Sequence, residues 1–459
     1  MDINPALSRK RARHFEHASA HLLPELVHRL AWPRQNIERQ QLAALRALLH
    51  HASQHSPWHR ERLRGIDPNS ATLADLARVP PMTKRDLMEN WDGIVTVEEA
   101  TLAGARAALQ GMTDQQYMWE DTVLVTSGGT TGQPGVFLYD WNGLGTYWSA
   151  LCRSIVPTLM RRVSNPREVR KAAIGAGMSG HISYVIGRIF SDPQKPGLQL
   201  SSWNSTAELI EPLNQCDPQL LSCYPSLIPT LAAAARAGQL RIAPDIIFFG
   251  SEHLSDSNRQ LAQATWPRAD LFDCWGTGEG GLAFPCPYGK NFHLSEDLCV
   301  VEPVDEHGAP VGPGQPSDGI YLTNLFNRAL PIIRYHIDDI FELNPHTCAC
   351  GSAFQSVDRV RGRTAEKFSY GQLVVHPHAI ELGLVEQAAI VEYQIHQTRA
   401  GVRIMLRTEG EVDFARAEER VRLALRGFGL EQPEVELAVV DAIDRTAAGK
   451  LRRFIPLEA

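Results

Sequence analysis

Long apolar runs are missing from this sequence. No stretch approaches the roughly 18 consecutive apolar residues that a membrane-spanning helix needs. The opening, MDINPALSRKRARHF, lacks the apolar core of a secretory signal, and its SRKRAR cluster reads as a solvated helix start. An excess of basic charge is also missing. Lys and Arg number 45 against 52 Asp and Glu, a net charge of −7, so nothing marks a nucleic-acid partner. Cysteine is sparse: eight in 459 residues do not make a disulfide framework, and reduced thiols in a cytoplasmic protein are the expectation. A Walker A loop is absent, since the Gly449-Lys450 pair is followed by Leu451. A dinucleotide fingerprint is present only in outline, as Gly175-Ala-Gly177-Met-Ser-Gly180. The next apolar run, LQLSSWN, does not end in the acidic residue that would hold a ribose.

What is present suits a soluble chain of two or three domains. Its length exceeds what one core organises, and 44% hydrophobic with 21% charged residues is ordinary for globular proteins. Residues up to about 120 read as mainly helical, with Thr83 after a Pro pair as a helix N-cap. From about Thr122, short apolar runs alternate with helical stretches: TVLVT, GVFLY, KAAIGAG, LQLSSW, LLSCYPS, DIIFFGSE and ADLFDCWG. That alternation predicts an α/β layer with a largely parallel sheet. Two further strands flank a Gly/Pro-rich turn in LCVVEPVDEHGAPVGPGQPSDGIYLTNLF, and PIIRYHIDDIFEL reads as another. After Arg363 the texture becomes a compact α+β set. There Phe414, Ala417, Val421 and Leu425 share one helical face as a core stripe. The fold class is therefore α/β: a large domain over 1–361 with parallel-rich sheets, and a small α+β domain over 362–459.

Four segments carry chemistry. VTSGGTTGQP (Val125–Pro134) offers backbone N–H groups and hydroxyls with little bulk, as a phosphate cradle does. DCWGTGEGG (Asp273–Gly281) ends an apolar strand, where α/β sheets present ligand-binding residues. LPIIRYHIDDI ends in two carboxylates, and DRTAAGKLRR puts Lys450 in a glycine-containing turn. Singly, each reads equally as surface or turn chemistry.

In this order they resemble the adenylate-forming acyl/aryl-CoA synthetase superfamily, and within it the phenylacetate–CoA ligase-like branch. The resemblance covers nearly the whole chain. It implies a phosphate loop with Ser127, Gly129, Thr130, Thr131 and Gly132, and an adenine and acyl flank at Ser251 and Glu252 in FFGSEHLSD. In WGTGEGG it gives Trp275, Gly276 and Thr277 to the nucleotide and Glu279 to Mg²⁺. Asp339 becomes the ribose acceptor, Arg363 a hinge residue on the nucleotide, and Lys450 the mobile catalytic lysine. YPSLI (Tyr224–Ile228) and HASQHSPWHRERL also look like this branch. Four positions depart from the family pattern. Gly278 stands where a Thr is usual, and His336-Ile337-Asp338 replaces Arg-Thr-Gly. Ala365 replaces a hinge Asp, and Gly135 a Lys.

The chemistry implied is activation of a carboxylic acid by ATP and Mg²⁺ to an acyl-adenylate, then transfer to coenzyme A. The branch favours an aromatic or arylacetic acid. Delivery to an amine or a carrier-protein thiol is the alternative acceptor, and a non-catalytic binding protein of the same fold the alternative class. A homodimer is compatible with such an enzyme. Tyr147, His181, Tyr224 and Phe249 are candidates for the acid pocket, with ordinary core as the other reading. Cys286, His293, Cys348 and Cys350 suit a structural Zn²⁺, an arrangement that resembles several members of the branch. His346 is a substitute ligand, and unrelated thiols are the other reading. His50, His51, His55 and His59 have no carboxylate or Cys partner and read as a solvated helix-to-turn segment.

Overall fold

The computed structural model describes residues 5–112, 114, 117–127, 135–163, 168–176, 179–192, 195–286, 291–357, 367–371, 373–375, 380, 384, 387, 389–446 and 451–457. The first hundred or so are helical, as expected. From Pro5 to Arg29 the chain is continuous helix, with the turn Ala18–Leu22 widened to π geometry. That widened turn lies against Gly145 in the helix Trp141–Cys152, where a Cβ would come within 3.1 Å of Leu22. Thr83 caps the helix Lys84–Glu89 in a reciprocal capping box with Asp86.

Two polar segments behave differently from the solvated faces expected of them. In the basic cluster, Lys10 pairs with Asp121, and Arg11 is buried facing Asp114. In the histidine-rich segment, His59 is fully buried, and its Nε2 pairs with the Pro331 carbonyl at 3.0 Å. Burial, aided by the neighbouring Arg62, pushes the His59 imidazole down to about 3 and so keeps it neutral.

Strands β1 (Val123–Thr126) and β2 (Val136–Tyr139) form an antiparallel hairpin of their own. They do not join the parallel sheet that the run of apolar segments suggested. The linker between them is too short for a parallel crossover, which takes a dozen or more residues. The five runs that follow do form that sheet: β3 (Lys171–Gly175), β4 (Leu198–Ser201), β5 (Leu220–Cys223), β6 (Ile246–Phe249) and β7 (Asp270–Asp273). All are parallel, in the order β4-β3-β5-β6-β7.

An antiparallel sheet follows, built from β8 (Trp275–Gly276), β9 (Leu282–Pro285), β10 (Phe292–Leu294) and, much later, β14 (Ser356–Val357). Between them β11 (Cys299–Val304), β12 (Gly319–Asn324) and β13 (Tyr335–Ile337) make a third sheet. Strand β13 is shorter than its apolar run. Arg334 before it takes φ 52°, held there by Glu302 (3.2 Å) and the Val79 carbonyl (2.7 Å).

The small domain has its own apolar core, drawn from residues between Phe368 and Phe454. Its main sheet runs β19 (Glu434–Val439), β18 (Gly401–Thr408), β17 (Ile390–Gln397), β20 (Phe454–Ile455). The helix Phe414–Gly427 packs on it through Ala417, Val421 and Leu425, all fully buried. Phe414, the fourth residue of the predicted stripe, is 41% exposed because it opens the helix next to its N-cap Asp413. The expected domain boundary at 362–366 lies outside the described residues. Among the described residues, no helix is long and apolar enough to cross a membrane.

Beneath the antiparallel sheet, Arg153 and Asp297 are both fully buried and joined by three hydrogen bonds of 2.9–3.1 Å. Removing one partner leaves the other charged and unpaired in the core. Asp297→Asn is expected to cost about 3 kcal/mol or more, read as a lower urea midpoint at unchanged m. Arg85→Ala, which breaks only an exposed pair with Glu89, is expected to leave the midpoint where it was.

Candidate active site

The parallel strands deliver their C-terminal ends to one edge, where open α/β sheets bind ligands. Strand β6 runs out into Gly250-Ser251-Glu252, and Ser251 takes the left-handed φ of 69°. A non-glycine residue held there carries strain of the kind that collects at ligand sites. Strand β7 runs out into the Trp275–Gly281 segment. Beside that segment stands the β1–β2 hairpin, closed at its mouth by Ser127 and Gly135. The Ser127 N–H donates to the Gly135 carbonyl at 3.0 Å, and the Gly135 N–H donates to Ser127 Oγ at 2.9 Å.

Side chains from three sheets position the Glu279 turn. The Tyr139 hydroxyl donates to the Gly278 carbonyl at 2.9 Å, and the Asn324 amide donates to the Glu279 carbonyl at 3.0 Å. Thr277 closes the turn on itself, exchanging backbone bonds with Gly281 and accepting the Gly281 N–H on its hydroxyl at 3.1 Å. The Glu279 carboxylate is close to two buried phenols. Burial pushes the Tyr139 and Tyr147 hydroxyls well above the ordinary tyrosine range, and the Glu279 charge adds to both shifts. A Cβ at Gly278 would sit in ordinary contact with Phe137 and Val125. The departure from Thr there is therefore not forced by crowding.

The decisive contact joins two segments 64 residues apart. The buried Trp275 indole N–H donates to Asp339 Oδ2 at 2.7 Å, while its ring meets Phe341 edge-on at 4.9 Å. The aromatic residue and the carboxylate expected at the adenine and the ribose are thus neighbours. Glu252 accepts from the Ser226 N–H at 3.1 Å and from the Leu451 N–H at 3.0 Å.

The four acid-pocket candidates are all buried but do not form one wall. Tyr224 and Phe249 belong to the parallel-sheet core, and burial pushes the Tyr224 hydroxyl up to about 12. Tyr147 belongs to the other core and stands directly over Gly276. His181 caps the helix Ile182–Ile189, its Nδ1 2.8 Å from Ser183 Oγ. Gly129, Thr130, Thr131, Gly132, Arg363 and Lys450 lie outside the described residues. Sequence reasoning missed Tyr139, Asn324 and Asn327. The available signal was an Asn at the end of an apolar strand, repeated three residues on.

A second cluster lies at the far end of the antiparallel sheet. Cys286, His293, Cys348 and Cys350 place their four ligand atoms within 4.8 Å of one another. Cys286 Sγ is 3.5 Å from Cys348 Sγ, and Cys350 Sγ is 3.3 Å from His293 Nε2. Zn–S bonds of about 2.3 Å in a tetrahedron imply ligand separations of about 3.8 Å, so the spacing fits. His293 Nδ1 is 3.1 Å from the Phe354 carbonyl and donates to it, which turns the Nε2 lone pair toward the sulfurs. His346 is exposed and outside the group.

No family model matches the chain. It is similar over 412 residues, at 25% identity, to a phenylacetate-coenzyme A ligase of Thermus thermophilus, covering 85% of this chain and 82% of that one. It is similar over 441 residues, also at 25% identity, to the phenylacetate-coenzyme A ligase of Pseudomonas putida, covering 91% and 92%. In fold it matches a 2-hydroxyisobutyryl-CoA ligase in its postadenylation state, with a TM-score of 0.71 at 17% identity over 94% of this chain and 91% of that one. Against the same ligase in the thioesterification state the TM-score is 0.55, at 19% identity over 93% and 91%. A hairpin, a parallel sheet and a strand-end carboxylate converging on one edge, with a separate small domain, define an adenylate-forming fold. The chain belongs to the adenylate-forming superfamily, on its acyl-CoA ligase branch.

Gly280 gives this site a test independent of substrate. It takes φ 99°, and a Cβ there would fall on the Asn324 amide. Gly280→Ala is expected to destabilise the protein by about 2 kcal/mol or more in urea unfolding. Gly312→Ala, which meets nothing within 4 Å, is expected to be neutral or slightly stabilising.

Proposed function

We propose that this chain uses ATP and Mg²⁺ to activate a carboxylic acid, aromatic or arylacetic, and passes the acyl group to coenzyme A. The observation that carries the reading is the Trp275–Asp339 contact beside the Glu279 turn, which assembles a nucleotide site from two distant motifs. In the first half-reaction a carboxylate oxygen of the acid bonds to the α-phosphorus of ATP, and the bond to pyrophosphate breaks. In the second, the coenzyme A sulfur bonds to the acyl carbon, its proton is lost, and AMP leaves.

The residues divide this work by their chemistry. Asp339 accepts from the ribose hydroxyls and Trp275 covers the base, which fixes the nucleotide for in-line attack. The loop from Ser127 to Gly132 donates hydroxyls and N–H groups to the leaving phosphates. Lys450 offsets the negative charge that builds on the α-phosphate. Glu279 would hold Mg²⁺, which when bound neutralises phosphate charge. We place the division between the domains at 361/362, with Arg363 at the hinge. We also assign a structural Zn²⁺ to Cys286, His293, Cys348 and Cys350, tying the β9–β10 turn to the segment before β14.

Pyrophosphate release tests the reading. It is expected to require an aromatic or arylacetic acid from a mixed panel and to turn over only with coenzyme A. A single burst indifferent to coenzyme A would move the acceptor to an amine or a carrier thiol, and no release with any acid would defeat the proposal. Lys450→Ala is expected to cut adenylation by about 10²-fold or more while circular dichroism stays unchanged. For the metal, elemental analysis of protein purified without chelator is expected to give one zinc per chain, and Cys350→Ser to lose both the zinc and thermal stability. Metal-free protein of unchanged stability would count against the zinc assignment.

A further inference from the structure

Glu252 was expected on the nucleotide, yet both of its carboxylate oxygens are engaged by backbone. Oε2 accepts from the Ser226 N–H at 3.1 Å, within the large domain. Oε1 accepts from the Leu451 N–H at 3.0 Å, in the small domain and directly after Lys450. Leu451 also pairs with Arg445 in an antiparallel bridge, so those two residues form the base of the loop that contains Lys450. The large domain grips both sides of that base. Glu252 takes Leu451, and Ser226 Oγ accepts from Arg445 at 3.3 Å.

A second set of contacts runs parallel to the first. Glu392 on β17 is buried and receives two guanidinium groups, those of Arg445 and Arg407, the latter at 3.1 Å. Arg407 also donates to Thr230 Oγ1 at 2.8 Å, in the helix Ile228–Arg236. One buried carboxylate thus aligns two arginines, and each reaches a hydroxyl on the same stretch of the large domain, at positions four apart. Charge-assisted bonds of this kind are directional and hold geometry well.

We infer that Glu252, with Arg445, Glu392 and Arg407, forms a latch that seats the Lys450 loop for adenylation. Glu252 is a positioning residue acting through Lys450, and not a nucleotide ligand. The inference rests on the adenylation reading. Because a displacement of about 1 Å at a reacting group can cost about 10²-fold in rate, loosening the base of the loop reaches the chemistry without touching it.

Half-reactions separate this role from its rivals. With an acid that supports pyrophosphate release, Glu252→Ala is expected to lower kcat for release at least 10-fold and to leave KM for ATP within threefold. Glu252→Gln, which keeps one acceptor, falls between it and the wild type. Thioester formation from synthetic acyl-adenylate and coenzyme A is expected to be unchanged in both. The double variant with Lys450→Ala is expected to be no slower than Lys450→Ala alone. A raised KM for ATP at constant kcat, equal losses in both half-reactions, or multiplicative losses in the double variant would each overturn the latch. A readout free of catalysis is tryptic cleavage of the Lys450–Leu451 bond, followed by mass spectrometry. It should be faster in Glu252→Ala than in the wild type; equal rates would sink the latch even if no acid were ever activated, and faster cleavage in a protein that activates no acid would leave the latch standing while the adenylation reading fails.

Discussion

The side-chain amide of Asn324 donates to the Glu279 carbonyl, while its oxygen accepts from the Phe326 and Asn327 N–H groups. Three residues on, the Asn327 amide donates to the Leu138 carbonyl of β2. Both side chains are buried, so each unmade bond would carry the full desolvation cost of an amide. Through this pair the end of β12 is tied at once to the Glu279 turn and to the hairpin whose mouth is closed by Ser127. Tyr139, also on β2, holds the same turn from its other side through Gly278. Because those bonds fall on backbone carbonyls, they leave the Glu279 carboxylate outside their own geometry. That is the arrangement a metal- or phosphate-facing carboxylate needs.

The cysteine–histidine cluster is joined to this site through aromatic and cationic contacts. Phe284 stacks on His293 with ring centroids 5.4 Å apart and meets Phe354 edge-on. Arg153 lies over both phenyl rings, at 4.7 and 5.4 Å, and its charge is balanced by Asp297. Arg153 directly follows the helix that carries Tyr147. A centre that fixes His293 therefore also fixes the plane on which the guanidinium rests. The packing assigns the cluster a role in rigidity, remote from the reacting groups, and the buried ion pair is tolerated because its remaining faces are covered by rings.

Local signals in the sequence were strong wherever one segment decides its own structure. The apolar runs became β3 to β7 because a parallel strand buried on both faces needs a continuous apolar stretch. Thr83 with Asp86 became a capping box because its two partners are three residues apart. Partners distant in the chain were less legible. Arg11 and His59 looked solvated because the groups that satisfy them, Asp114 and the Pro331 carbonyl, lie 103 and 272 residues away. The hairpin was missed for a related reason: apolar alternation reports burial, and only the short linker betrays the antiparallel pairing. In the site, Trp275 and Asp339 were legible because each ends a strand, whereas Asn324 was not, since nothing local shows what its amide must hold. The zinc-type cluster stood between these cases. Its residue types were visible, but its convergence depends on β10 pairing with both β9 and β14.

The two domains meet through contacts suited to being remade. The small domain completes its apolar core from its own residues, so it needs no apolar surface of the large domain to stay folded. Its described bonds across the boundary are polar: Leu451 to Glu252, Arg445 to Ser226, Arg407 to Thr230 and Lys367 to Asp318. Each such bond contributes about 1 kcal/mol net, since water replaces it on opening. A handful of them is matched by the few kcal/mol that exchanging one bound ligand for another can supply. A broad apolar interface of the same extent would hold one arrangement through both half-reactions. The polar boundary instead lets the nucleotide's state decide which face the small domain presents, while the buried Glu392 pair keeps its arginines aligned within the small domain.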